Sequence, residues 1–324
     1  MDSAPSLAHG RLCIVLAAIL WSTGGAFTKI LTQDTFAGLK EPPLDTLQIG
    51  AYRLPVQIAC YRALFAGLVL LPTLRRRDLA FRPMMIWMAL SFAAMNILFI
   101  TALALGTSAN AILLQYSAPL WMYLAAIFFL GETPDRRGTI TLALGLGGIA
   151  IIVAGGWQDG DPTIIVIALG SGFAYAGVLL GLRVLRGVSS RWLTVWNHLL
   201  SGLVLVPLVV ALRPPTVSQF LVLFVYGSLQ MGLAYWLVAR GLRVVSPQEA
   251  GAITLLEPIL NPICAYLVSP QTEVPNVFTC IGGAVILGAL AWRYWPRKKL
   301  AKFANGGRLR TNGDTDADTK HQSY

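Results

Sequence analysis

The chain has 324 residues, of which 56% are hydrophobic and only 12% charged, and its formal net charge is +10. So few polar side chains cannot cover the surface of a soluble globular protein of this length, which excludes that class. The basic residues stand beside long apolar segments rather than in a separate basic stretch, so the charge does not indicate a nucleic-acid partner.

Apolar stretches of membrane-spanning length recur along the chain. A bilayer core about 30 Å thick needs roughly 20 mainly apolar residues per helix. Ten stretches meet this length: residues 12–32, 54–74, 83–103, 108–130, 138–156, 163–182, 192–212, 217–239, 247–268 and 275–295. Runs of this length differ from the short alternating strands of a membrane β-barrel. The sequence therefore predicts an all-α membrane protein of ten transmembrane helices, with the lipid bilayer as its surroundings.

The connecting segments differ in basic charge. If the N-terminus is cytoplasmic, the cytoplasmic side receives Arg11, Arg75, Arg76, Arg77, Arg82, Arg136, Arg137, Arg183, Arg186, Arg191, Arg240, Arg243 and the basic cluster of residues 293–302. The other side receives Lys40, Arg53 and Arg213. The positive-inside rule then predicts a multi-pass protein of the cell (inner) membrane with both termini in the cytoplasm. The polar segment of residues 303–324 is predicted to be a disordered cytoplasmic tail.

The two halves of the chain repeat each other. The phrase GLVLLP at residues 67–72 recurs as GLVLVP at residues 202–207. This alignment pairs Arg62 with Asn197. Helices four and nine also correspond, with Pro119 opposite Pro258 and Thr107-Ser108 opposite Ser246-Pro247, and helices one and six align more loosely, with Trp21 opposite Tyr175 and Lys29 opposite Arg183. Five helices per unit is an odd number, so the second copy enters the membrane from the opposite side. The predicted units are residues 1–157 and 158–302, and such inverted five-helix repeats are typical of secondary transporters.

Four phrases, in this order and frame, carry a resemblance to a known family. They are LWSTG at residues 20–24 with Lys29 two turns later, YRA at 61–63, Pro119 leading to LGE at 130–132, and Glu257-Pro258. The chain resembles the EamA family of the drug/metabolite transporter superfamily over nearly its whole length. The resemblance implies a secondary transporter, permease or exporter, that moves a small metabolite such as an amino acid by alternating access through a central cavity.

The sequence departs from that family's pattern in two places. The second copy ends in SPQTE at residues 269–273 instead of a Gly-Glu pair, and the loop over residues 33–53 is longer than the pattern has it. No function is therefore assigned to Glu273 or to this loop.

Polar residues inside the predicted helices are the candidate binding residues. An ionisable side chain at a helix centre costs about 2.5–3.5 kcal/mol, so it faces a cavity or a partner. The candidate substrate-binding residues are Trp21, Lys29, Arg62, Gln115, Pro119, Tyr175, Asn197, His198, Glu257, Pro258 and Asn261. Glu257 and Asn261 share one helical face, as do Gln115 and Pro119. The matched prolines free a carbonyl group and permit bending where a helix lines a cavity.

Each candidate also has a structural alternative. Lys29 and Arg62 can snorkel or bond to a backbone carbonyl, Trp21 can pack between helices, and a lone His198 is more often a hydrogen-bonded packing residue than a ligand. Glu257 is predicted either to bind a cationic group of the substrate or to carry a coupling proton. The sequence leaves open whether Lys29 or Arg62 lies beside it.

Other classes of function lack support in the sequence. Neither a metal-ligand motif, a phosphate loop nor a nucleophile motif is present, so no enzyme activity and no cofactor are predicted. The four cysteines, Cys13, Cys60, Cys264 and Cys280, lie singly inside apolar stretches, as packing residues do. A channel, or a non-transporting receptor or scaffold, is the alternative to a transporter. The predicted partners are a small molecule and, as an option, protons; monomer and homodimer both fit.

Overall fold

Ten membrane-length helical spans form the bulk of the computed structural model, which describes residues 6–36, 39–40, 42–159 and 161–295. The predicted tail of residues 303–324 lies outside the described residues. Spans 1 to 5 are α1 (Leu7–Ser22) with α2 (Gly24–Thr32), α3 (Val56–Leu70), α4 (Met84–Leu105), α5 (Ser108–Gln115) with α6 (Ala118–Leu130), and α7 (Arg136–Asp159). Spans 6 to 10 are α8 (Pro162–Val184), α9 (Ser190–Val209), α10 (Val217–Val225) with α11 (Ala234–Gly241), α12 (Pro247–Thr254) with α13 (Glu257–Val268), and α14 (Val277–Tyr294).

The outer sides of these spans carry large apolar side chains. Phe129 on α6 is 81% exposed and Leu267 on α13 is 77% exposed, and many other Leu, Val and Phe side chains are exposed along the helices. An apolar surface of this extent is stable only against lipid. The chain is therefore an integral, multi-pass membrane protein, and the predicted ten-helix fold class is confirmed.

Corresponding helices of the two repeats pack against each other at the repeated phrase. On α3, a Cβ atom at Gly67 would stand 2.6 Å from the side chain of Leu199 on α9, and one at Gly202 on α9 would stand 2.6 Å from Leu64 on α3. Both glycines thus permit an equally close approach of the two backbones. The repeated phrases at residues 67–72 and 202–207 therefore lie on two helices, α3 and α9, that contact each other in the same way from both sides.

Four spans are interrupted, whereas the sequence analysis treated each span as one helix. Spans 4 and 9 break at matched places, after Gln115 and after Thr254. In both, a proline follows four residues later, and it removes the backbone N–H that would bond to the carbonyl of Gln115 or Thr254. Span 1 breaks at Thr23, and residues Tyr226–Leu233 between α10 and α11 form a π-helix.

The long loop after span 1 contains two short hairpins. Strand β1 (Thr35–Phe36) pairs with β2 (Leu39–Lys40), and β3 (Leu47–Ile49) pairs with β4 (Tyr52–Leu54), both antiparallel. The loop is fastened to the chain between spans 7 and 8, because Arg213 donates to the carbonyl of Pro43 at 3.0 Å. We call this side of the bundle the hairpin face.

The opposite side, called the arginine-rich face, holds the ends of spans whose connections carry most arginines. Arg11 on α1 pairs with Glu249 on α12 at 2.5 Å. Arg183 on α8 pairs with Glu132. At the same face, the backbone N–H of Arg75 holds the pKa of Asp78 below its ordinary value, against the opposing effect of desolvation. The arginines that the sequence analysis assigned to one side of the membrane thus lie at one face of the fold.

Candidate substrate site

A central cavity of about 240 Å³ lies between the two repeats. Six of the predicted site residues line it: Trp21, Arg62, Gln115, Pro119, Tyr175 and Glu257. Within the part of the chain that the structure describes, Arg62 and Glu257 are the charged residues among the lining residues. The cavity therefore offers one cation and one carboxyl group, contributed by different repeats.

Arg62 is 2% exposed and is held by neutral groups. Its Nη1 donates to Tyr226 Oη at 3.0 Å and its Nη2 to Asn96 Oδ1 at 2.5 Å. Asn96 donates in turn to the carbonyl of Ala59, which turns the amide oxygen of Asn96 towards Arg62. Among the described residues, Nε of Arg62 has no hydrogen-bond partner and no carboxylate pairs with this side chain. A buried guanidinium that no carboxylate neutralises, and that lines a cavity, is suited to bind an anionic group.

Glu257 begins α13 and contacts a tyrosine from the other broken span. Tyr116 Oη lies 2.9 Å from Oε2 of Glu257 and 2.9 Å from the carbonyl oxygen of Thr254. Pro258 removes the N–H that would otherwise bond this carbonyl, so the break in span 9 presents it to Tyr116. Neither Lys29 nor Arg62 forms an ion pair with Glu257 in the described chain, although Arg62 lines the same cavity.

Aromatic side chains form much of the remaining wall. Trp21 and Tyr235 meet edge to face with ring centroids 5.2 Å apart, and Tyr175 and Tyr294 also line the cavity. The position of Trp21 is fixed from behind, because Gln230 of the π-helix donates to its backbone carbonyl at 3.1 Å. Such a wall can hold the apolar part or the cationic group of a ligand.

Lys29 does not line the central cavity, contrary to the prediction. Its Nζ lies 2.7 Å from Oε1 of Glu273 and donates to the carbonyl of Gly106 at 2.9 Å. The backbone N–H of Ser108, at the start of α5, donates to the other oxygen of Glu273 at 2.7 Å. The side chains of Lys29 and Glu273 are 8% and 0% exposed. This three-part contact, the hairpin-face cluster, joins the end of span 1 and the start of span 4 to the loop that follows span 9.

A second cavity of about 740 Å³ lies on the far side of this cluster, at the hairpin face. Its lining includes Lys29, Arg53 and Asp161. The backbone N–H of Thr163 holds the pKa of Asp161 below its ordinary value, so this carboxylate is ionised at neutral pH. This vestibule and the central cavity have no lining residue in common among the described residues, and Lys29 of the hairpin-face cluster belongs to the vestibule.

Four other predicted site residues lie outside the central cavity. They are Asn197, His198, Pro258 and Asn261. His198 lies behind the wall, with its ring 5.0 Å from that of Tyr235 and its Nδ1 2.8 Å from the carbonyl oxygen of Thr194. Asn261 is fully buried against α2, where a Cβ atom at Gly25 would stand 2.7 Å from its Oδ1. Asn197 and Pro258 are buried within their helices, so packing takes these four away from the cavity.

Two residues with important contacts, Tyr116 and Glu273, are not among the candidate residues predicted from the sequence. Tyr116 was not chosen because a tyrosine in an apolar stretch resembles a packing residue. The available signal was its position three residues before Pro119, because a proline breaks the helix there and changes the directions of nearby side chains. Glu273 was not chosen because the second repeat has SPQTE in place of the Gly-Glu pair, so its carboxylate lies two residues beyond the position aligned with Glu132. The signal for it was Lys29 itself, since a cation at that depth requires a buried partner.

Ten spans in two inverted repeats around a polar cavity define the class of membrane transporters. The sequence profile of the EamA-like transporter family matches residues 47–154 and 162–294, and the chain belongs to that family. A curated relative, the S-adenosylmethionine uptake transporter of Rickettsia bellii (strain RML369-C), is 22% identical over 199 residues, which cover 61% of this chain and 67% of the relative. A protein of known crystal structure aligns with 89% of this chain and 97% of its own, with a TM-score of 0.56 and 18% identity, a likeness of fold alone.

Proposed function

We propose that the protein is a secondary transporter of small zwitterionic metabolites, of the size of an amino acid, and that it works by alternating access. The observation that carries this proposal is the pair of opposite charges in one cavity. Arg62 offers a positive charge that no carboxylate pairs with in the described chain, and Glu257 offers a carboxyl group to an ammonium or sulfonium group. A zwitterion matches both charges, whereas a ligand of single charge leaves one of them unmatched.

The dimensions and walls of the cavity support the same class of substrate. Its volume of about 240 Å³ lies just below the usual range of roughly 300–1,000 Å³ for ligand pockets, which favours a small metabolite. Trp21, Tyr175 and Tyr235 supply aromatic faces for the cationic or apolar part of the ligand. The name of the curated relative, which mentions S-adenosylmethionine, makes that amino-acid derivative a reasonable test compound.

The position of the cavity supports access from one side at a time. Its lining reaches Tyr294, the last residue of α14 at the arginine-rich face, and Gly251 on α12. Towards the hairpin face, the cluster of Lys29, Glu273 and Ser108 closes it. In this proposal the arginine-rich face is cytoplasmic, so the structure represents the state that loads or releases substrate at the cytoplasm.

Uptake into proteoliposomes tests the proposal with matched compounds. We expect saturable uptake and counterflow exchange of methionine or S-adenosylmethionine, with much slower uptake of the decarboxylated amine and of the deaminated acid of methionine. These analogues keep the methionine side chain and remove one charge each. Conductance without saturation would indicate a channel, and equal uptake of the single-charge analogues would overturn the zwitterionic substrate class.

The orientation has its own test by cysteine labelling in a variant without the four native cysteines. A cysteine at position 159 is expected to react with an impermeant maleimide added outside intact cells, because residue 159 ends α7 on the side of the hairpins. Arg76→Cys, on the arginine-rich face, is the matched control and should react only after the membrane is opened. Reaction of Asp159→Cys solely from the cytoplasmic side would reverse the proposed topology.

A further inference from the structure

We propose that Glu257, Tyr116 and Thr254 form a proton-exchange site, in which the cationic group of the substrate displaces a proton from the carboxyl group of Glu257. The inference rests on the proposed function and adds the coupling ion to it. The proposal is based on three oxygen atoms that lie within hydrogen-bond distance in a row, and on how many hydrogen atoms they have between them. These atoms are Oε2 of Glu257, Oη of Tyr116 and the carbonyl oxygen of Thr254.

Tyr116 stands between two acceptors. Its Oη is 2.9 Å from Oε2 of Glu257 and 2.9 Å from the carbonyl oxygen of Thr254. A tyrosine hydroxyl has one hydrogen, and an ionised carboxylate has none to donate. With Glu257 ionised, one hydrogen therefore has to serve two acceptors. With Glu257 protonated, its O–H donates to Tyr116 and the Tyr116 O–H donates to Thr254, so both short contacts become full hydrogen bonds.

The backbone makes this arrangement specific. Pro258 cannot supply an N–H to the carbonyl of Thr254, so that oxygen depends on a side-chain donor. Tyr116 reaches it because span 4 is broken at the matched place, just before α6. The two proline-linked breaks thus bring a hydroxyl, a freed carbonyl and a carboxyl group together at one point of the cavity wall.

The other titratable groups around the cavity do not supply the missing hydrogen. Arg62 directs two of its N–H groups to Tyr226 and Asn96. Tyr175, Tyr235 and Tyr294 complete the titratable residues of the lining. In the described chain, no hydrogen bond joins any of these four side chains to Glu257. The carboxyl group therefore has Tyr116 as its hydrogen-bond partner until a ligand enters.

The exchange step conserves charge and atoms. An ammonium or sulfonium group of the substrate approaches Oε1 and Oε2 of Glu257, and the carboxylic acid releases its proton to water in the cavity. The Tyr116 O–H then turns from Thr254 to the new carboxylate, where its hydrogen bond is charge-assisted. The site holds either a proton or a cationic group, so the two are carried in opposite directions across the membrane.

Infrared spectroscopy of the ligand-free protein tests the protonation without any transport assay. We expect a carboxylic-acid C=O band near neutral pH that is absent in Glu257→Gln and shifted in Tyr116→Phe. The amide introduced by Glu257→Gln can donate to Tyr116 in place of the acid, so this variant keeps the hydrogen-bond chain and the fold. Tyr175→Phe is the matched control and should leave the band unchanged, since in the described chain Tyr175 lines the cavity without a hydrogen bond to Glu257.

Proteoliposome assays with methionine and S-adenosylmethionine then test the coupling. In the wild-type protein a pH gradient alone is expected to drive accumulation of either probe, and Glu257→Gln is expected to lose this accumulation because its amide has no proton to exchange. Accumulation that persists in this variant, or a ligand-free protein without the Glu257 band, overturns the proton-exchange site. If the wild-type protein moves neither probe, the proposed function fails, whereas the infrared result on the ligand-free protein still decides the protonation.

Discussion

Lys29→Met is expected to lower the free energy of unfolding of the bundle by about 3–5 kcal/mol, because it leaves Glu273 charged and unpaired at a fully buried position. Glu273→Gln is expected to cost less, since the amide oxygen of Gln can still accept the N–H of Ser108. The measurement is the apparent unfolding temperature of the detergent-solubilised protein, followed by intrinsic fluorescence.

The double variant separates a charge effect from a packing effect. Lys29→Met with Glu273→Gln removes both charges and is expected to be more stable than Lys29→Met alone, with a coupling of about 0.5–3 kcal/mol. Glu132→Gln is the matched control, because its ion pair with Arg183 is 42–43% exposed and such pairs contribute about 0–1 kcal/mol. Equal destabilisation by Lys29→Met and Glu132→Gln would show that the buried pair contributes no more to stability than the exposed one.

Arg62→Gln is expected to weaken the binding of zwitterionic ligands by roughly ten- to a hundredfold, the range given by the loss of a hydrogen bond of about 1.5–3 kcal/mol to a charged group. Binding of the decarboxylated amine should change far less, because this analogue has no carboxylate for Arg62 to hold. The measurement is the concentration of each compound that halves the uptake of labelled methionine.

Two further variants control for the structural role of Arg62. Arg62→Lys keeps the positive charge but cannot reach Tyr226 and Asn96 with a planar fork, so intermediate affinity is expected. Arg53→Gln, in the vestibule, removes an arginine outside the central cavity and should leave inhibition unchanged. An equal loss of affinity for methionine and for its amine in Arg62→Gln would show that Arg62 supports the fold and not the carboxylate.

The spans and the charged residues of the cavity follow from the sequence for the same physical reason. Lipid favours apolar side chains, so an apolar stretch of sufficient length predicts a membrane-spanning helix. A charged residue inside such a stretch is costly against lipid, so it predicts a cavity or an ion pair at that place. Arg62, Glu257 and Lys29 were all found in this way. Which of the two environments each one occupies depends on neighbours from other spans, and for this reason the sequence did not show that Lys29 pairs with Glu273 and lines the vestibule instead of the central cavity.

The helix interruptions were predictable only where a proline causes them. Pro119 and Pro258 indicate the breaks in spans 4 and 9, whereas Thr23 has no such local signal. The π-helix of span 8 depends on packing, because a Cβ atom at Gly227 would stand 2.6 Å from the carbonyl oxygen of Arg62 on α3. A contact between residues so far apart in the chain has no signature in a window of sequence.

The two ion pairs described above also constrain how the chain is made. Lys29 comes from the first repeat and its partner Glu273 from the second, while Glu132 and Arg183 divide in the same way between the halves. Synthesis proceeds from the N-terminus, so Lys29 enters the bilayer when nearly the whole chain, including Glu273, has still to leave the ribosome. Until then the first five helices hold a lysine whose counter-ion does not yet exist. During synthesis the first repeat therefore lacks the counter-ion of Lys29, and this ion pair can form only after the loop that carries Glu273 has been made.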